Sequence, residues 1–75
     1  MQEKISGKEI LKNFSKNIRD LRIRHNETQL SVSMKLGLDY RGYQKMESEN
    51  PPDIRFTTLI KFLDFYKIKF EDLVK

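Results

Sequence analysis

The sequence predicts an all-α domain of about five short helices organised around a central helix-turn-helix. Three observations carry this. Apolar residues recur at spacings of three and four, as in Leu11, Phe14, Ile18 and Leu21. Nothing in the chain reads as a strand. Residues 28–47, TQLSVSMKLGLDYRGYQKME, hold two helix starts on either side of one glycine turn.

Taken in order, residues 1–8 are polar with Ser6-Gly7 as a break, and read as an N-terminal arm or irregular lead-in to a single domain over 9–75. The apolar stripe then predicts a helix over 9–25, with His25 continuing the face as a packing residue rather than a ligand. The opposite side carries Lys4, Lys8, Lys12 and Lys16, spaced by four and joined by Arg19. Like charges at this spacing repel. A solvated face is the default reading, and contact with phosphates or another acidic partner is the alternative.

Thr28 and Asp39 each suit a helix start, because a side-chain oxygen accepts from amides left unpaired in the first turn. Gly37 suits the end of the first of these helices, since glycine takes the left-handed conformation without a steric cost. Two helices so tightly joined cross steeply, which is helix-turn-helix geometry. In 29–36, Val32, Ser33 and Leu36 share an inward face. Leu30 and Met34 lie on the other side, covered by Ile5 of the arm or forming part of a partner surface; internal cover is the favoured reading.

A helix over 40–48 turns Tyr43 and Met46 inward and Tyr40, Arg41, Gln44, Lys45 and Ser48 outward. The outward set is rich in hydrogen-bond donors and holds no carboxylate, as a surface meeting phosphates and base edges requires. Residues 49–53, ENPPD, form a turn, and Asp53 or Thr57 is available to cap the next helix. That helix, to residue 67, shows Phe56, Leu59, Ile60, Leu63 and Tyr66 on one broad face with Phe62 at its border. Phe65 points elsewhere, toward a dimer contact or packing under the C-terminal segment. Ile68 and residues 70–74 suggest a last helical turn over the core.

Composition bounds what such a domain does. Seventy-five residues allow one small core. Without cysteine, and with one histidine, no metal or other cofactor is implied. Fifteen Lys+Arg against 11 Asp+Glu give +4, a modest excess compatible with nucleic acid. No apolar run approaches the roughly 20 residues of a membrane span, and the N-terminus lacks a signal-peptide core, so a cytoplasmic protein is expected. No glycine-rich phosphate loop or unexplained carboxylate pair suggests an enzyme.

From about 14 to 74 the chain resembles the Cro/repressor-like, or Xre-type, helix-turn-helix proteins. The resemblance rests on Leu21-Arg22, Thr28-Gln29, Leu36-Gly37-Leu38, Met46-Glu47, Pro52, and Leu59 followed by the apolar run to Leu73. It implies a lambda-repressor-like fold and a transcriptional regulator that binds operator double-stranded DNA as a homodimer. It also implies a structural ion pair between Arg22 and Glu47. Phosphate contacts would come from Thr28 and Gln29 at a helix start and from Ser48 and Asn50 after the recognition helix. Base contacts would come from Tyr40, Arg41, Gln44 and Lys45.

The chain departs from the family at Ser33, usually alanine, Tyr43, usually aliphatic, Glu27, usually apolar, and Glu49, usually glycine. Ser33 then needs a backbone carbonyl for its hydroxyl, Tyr43 must place its hydroxyl at a boundary, and Glu49 sets an acid beside the phosphate path. Small members of this family include phage repressors, restriction–modification controllers and antitoxins. The alternative function is therefore a protein-interaction module such as an antitoxin, for which Ile23, Leu30, Met34 and Phe65 would be the surface.

Overall fold

The computed structural model describes residues 6–75, and among them the chain forms five α-helices and no strand. These are α1 Gly7–Arg24, α2 Gln29–Leu36, α3 Tyr40–Met46, α4 Phe56–Tyr66 and α5 Phe70–Val74. The all-α expectation holds. Lys4 and Ile5, and with them the proposed cover of Leu30 and Met34, lie outside the described residues.

Helix α1 begins two residues before the expected start at residue 9. Ser6 is not a break but the N-cap, its hydroxyl accepting from the Glu9 amide at 3.2 Å. Residues 7 and 8 therefore belong to the helix and not to the arm. The stripe is correctly oriented: Phe14, Ile18 and Leu21 are buried and Leu11 is half-buried. Ser15 is buried among them and donates its hydroxyl hydrogen to the Ser48 carbonyl at 3.1 Å. At the helix end, His25 Nδ1 donates to the Leu21 carbonyl at 2.8 Å, and its ring lies 5.0 Å from that of Tyr66. The residue itself is exposed, so this is packing at the rim of the core.

Helices α2 and α3 start where the capping residues place them. Thr28 Oγ1 accepts from the Ser31 amide at 3.0 Å, and Asp39 Oδ2 from the Gly42 amide at 2.9 Å. Gly37 sits at φ 67°, a left-handed conformation that strains any residue with a Cβ. Val32, Ser33, Leu36 and Tyr43 are buried, with Met46 packed against them. The Ser33 hydroxyl finds its carbonyl, that of Leu30, at 2.8 Å. Helix α3 ends at Met46, which leaves Ser48 in the following turn.

Helix α4 departs from expectation. Its N-cap is Arg55, and no side chain caps it, so neither Asp53 nor Thr57 has that role. Its inward row is Thr58, Phe62 and Tyr66, whereas Phe56 and Ile60 are 69% and 40% exposed. Phe62, placed at the border by periodicity, is fully buried. The physical reason is that apolar residues surround most of this helix, so periodicity alone does not select a face. Aromatic geometry does: Phe62 meets Phe14 edge-on at 5.6 Å and lies alongside Tyr43 at 6.2 Å. Phe65 is half-buried and edge-on to Tyr66 at 4.9 Å, which makes it a packing residue.

Five residues do not sustain a helix alone. Helix α5 is held by its buried Leu73 and by two asparagines of α1. Asn17 Nδ2 donates to the carbonyls of Leu73 at 2.8 Å and Lys75 at 3.1 Å, and Asn13 Nδ2 to that of Val74 at 3.1 Å. These bonds satisfy carbonyls that every helix end leaves unpaired.

One buried side-chain polar atom among the described residues lacks a partner, the Tyr66 hydroxyl. Burial, followed by the nearby charges of Glu27 and Glu47, pushes its pKa up to about 12. An unsatisfied buried hydroxyl costs about 1–3 kcal/mol. Tyr66→Phe is therefore expected to raise the urea midpoint, by the equivalent of about 1 kcal/mol. A lowered midpoint would mean that the hydroxyl is bonded in solution.

Candidate nucleic-acid interface

Helix α3 has two chemically different sides. Tyr40, Arg41, Gln44 and Lys45 are all exposed, and the helix contains no acid. Among the described residues neither Arg41 nor Lys45 is engaged in an ion pair. The structure thus brings the four expected base-reading residues onto one open surface.

The other side is fastened to the core by one carboxylate. Glu47 caps the C-terminal end of α3, and its side chain is 3% exposed. Its Oε2 accepts from Arg22 Nε at 2.8 Å and from the Tyr43 hydroxyl at 2.5 Å. Its Oε1 accepts from Arg22 Nη2 at 3.0 Å and from Gln29 Nε2 at 3.1 Å. Arg22 thus makes a two-pronged fork, the strongest arrangement for this pair. Its Nη1 also donates to the Glu27 carbonyl at 2.9 Å. The ion pair of Arg22 and Glu47 has the structural role the resemblance implied.

The electrostatics follow from these bonds. Burial by itself pushes the Glu47 carboxyl up, but the donations from Arg22, Tyr43 and Gln29 outweigh it and hold the group below the ordinary carboxylate range. The bond to Glu47 raises Arg22 in turn, against the smaller effect of its own burial. Burial, and then the bond to Glu47, pushes the Tyr43 phenol up. The hub is an ionised carboxylate served by one cation, one neutral phenol and one amide.

Tyr43 was expected at a boundary and is instead wholly enclosed, its hydroxyl satisfied from within. The sequence signal for this was the spacing, since Tyr43 and Glu47 are four apart and meet on one helical face. Gln29 was expected to offer its amide outward, but one Nε2 hydrogen goes to Glu47 and the residue is half-buried. The second Nε2 hydrogen remains. Thr28 uses its oxygen as the cap and keeps its hydroxyl hydrogen.

Ser48 is a different case. Its hydroxyl donates to the Lys45 carbonyl at 2.6 Å, so the one proton a phosphate would need is spent. Asn50 is exposed in the turn. Of the departures, Glu27 is half-buried, accepts from the Ser31 hydroxyl at 3.4 Å and pairs with Lys35. Glu49 is exposed beside Lys12 and Asn50. Ile23, Leu30 and Met34 are exposed, whereas Phe65 is not.

Comparison with protein-family models, with curated proteins and with solved structures gives no match. Among the described residues, no helix is long and apolar enough to cross a membrane.

Proposed function

We propose that the protein is a sequence-specific DNA-binding protein of the helix-turn-helix class, with α3 as the helix that enters the major groove. Within that class we propose a small transcriptional regulator of Xre type, a phage repressor or restriction–modification controller, acting on operator DNA as a homodimer. The observation that carries this reading is the segregation of α3. Its donor-rich side, Tyr40, Arg41, Gln44 and Lys45, is open, while its other side is locked through Tyr43 and Glu47. A reader must be held rigidly by one face to present the other in register.

Each residue has a chemical part in the proposal. Arg41 pairs bidentately with a guanine and Gln44 with an adenine. Lys45 takes a guanine or a phosphate, and Tyr40 a phosphate or a thymine methyl. The amides at the start of α2, with Thr28, meet a phosphate where the helix dipole is positive. Gln29 bridges that phosphate to Glu47 through its two Nε2 hydrogens, and Asn50 meets the backbone beyond α3. Two-fold symmetry sets half-sites about 34 Å apart.

Selection from a random duplex pool followed by mobility shifts tests the reading. Arg41→Ala is expected to lose about 1–3 kcal/mol at one base position, whereas Gln29→Ala weakens all sequences alike. Negligible affinity at moderate salt, with no dependence on log[salt], would end it. The exposed Leu30 and Met34 favour a second reading, a protein-interaction module such as an antitoxin. A stoichiometric partner lost on Leu30→Ser with Met34→Ser, from a protein whose DNA binding is secondary to that partner, would select it.

A further inference from the structure

The cations of α1 form one wall of an open groove. Lys12, Lys16 and Arg19 stand there opposite the turn at 47–50, with Ser48 and Asn50 across from them. The wall continues through Lys8, which with Lys12 faces Asn50 and Pro51 in the adjoining hollow. The spacing between helix and turn is set by two bonds already described. One joins Ser15 to the Ser48 carbonyl at 3.1 Å, and the other joins Arg22 to Glu47 at 2.8 Å.

The charges in this groove are unbalanced. Lys12, Lys16 and Arg19 are exposed, and among the described residues none takes part in an ion pair. Asp20, Glu49 and Asp53 also line the hollows without closing on the cations, and Glu47 is already neutralised by Arg22, so the free cations keep a small excess. Lys12 and Lys16 lie one helical turn apart, where like charges cost a few tenths of a kcal/mol. Only Asp20, one turn beyond Lys16, offsets that repulsion, and an external anion between the cations relieves it further. From Lys12 to Arg19 the helix rises about 10 Å, long enough for its cations to meet more than one phosphate of a strand.

We propose that Lys12, Lys16 and Arg19 form a phosphate track that receives the duplex backbone flanking the bases read by α3. The proposal rests on the DNA-binding reading above and extends it from the reader helix onto α1. Exposed lysines act as point charges on phosphate and carry no base information. The track therefore adds affinity and orientation, and leaves sequence choice to α3.

The test uses the full chain carrying Lys12→Gln, Lys16→Gln and Arg19→Gln together, with folding checked by a thermal melt. Affinity for a selected operator and for a random duplex is measured from about 50 to about 200 mM salt. Each phosphate contact contributes about −0.9 to the slope of log K against log[salt]. The variant is expected to show a slope shallower by about two to three, so that the unaltered protein loses about 40-fold more affinity across that range. The operator-to-random ratio stays the same. Trimming the flanking base pairs weakens the unaltered protein and not the variant.

An unchanged slope overturns the track and leaves base reading by α3 standing. Loss of an acidic protein partner, with the slope unchanged, overturns it in favour of that partner. A shallower slope in a protein that shows no operator preference and is indifferent to Arg41→Ala overturns base reading, and with it the placing of the track beside read bases. A chain that binds no duplex overturns both.

Discussion

Glu47→Ala is expected to destabilise the fold by about 3–5 kcal/mol. The loss is large because three donors depend on one carboxylate: Arg22, Tyr43 and Gln29 all converge on Glu47. Removing it strands a guanidinium whose side chain is only 15% exposed, together with a wholly buried phenol. A chain of this length has a total stability of about 4–11 kcal/mol, so the variant approaches or passes the folding threshold. Urea denaturation at neutral pH measures the change, and a loss below about 1 kcal/mol would show the pair to be screened like a surface ion pair.

The same group fixes the acid limb of the stability curve. Its folded value lies below its unfolded one, so its contribution is complete above the ordinary carboxylate range and disappears as pH falls through the folded value. Unfolding free energy should therefore drop steeply below about pH 4. Glu47→Gln should lack that share of the drop. If both proteins show the same acid limb, other carboxylates are responsible.

Phe62→Ala is expected to cost about 3–5 kcal/mol, and Phe56→Ala less than about 0.5 kcal/mol. The two phenylalanines lie on one helix, six residues apart, and the residue pattern alone ranked Phe56 as the inner one. In the structure Phe62 touches aromatic rings from α1, α3 and α4 itself. Phe56 is 69% exposed. Chemical denaturation of both variants compares the two placements directly. A larger loss at Phe56 would mean that α4 is rotated, or that Phe56 is covered in solution.

This contrast shows what the residue order makes legible. Helix starts at Thr28 and Asp39, and the left-handed Gly37, follow from local chemistry acting over three or four residues. They could be read because nothing distant competes with them. The Ser6 cap obeys the same rule, but its neighbours looked like a break. The face of α4 was not legible, because its apolar residues cover more than half of the helix and the choice is made by Phe14 and Tyr43, far away in sequence.

The candidate site divides in the same way. The outward residues of α3 follow from helical angle alone, and all four are exposed as anticipated. The hydrogen-bond state of Gln29 and Ser48 depends on partners that a pattern does not name, Glu47 for one and the Lys45 carbonyl for the other. Pairing of α1 with the turn at 47–50 is a tertiary fact. Lys12, Lys16 and Arg19 consequently read as a solvated face until Ser15 is seen bonded to Ser48.

That last bond has a mechanical meaning. Ser15 and Arg22 are seven residues apart on α1, a rise of about 10 Å, and both hold the end of α3, through Ser48 and Glu47. A single pin would leave the reader helix free to swivel. Two anchors, at the adjacent residues Glu47 and Ser48, restrict that swivel and tie the orientation of α3 to α1.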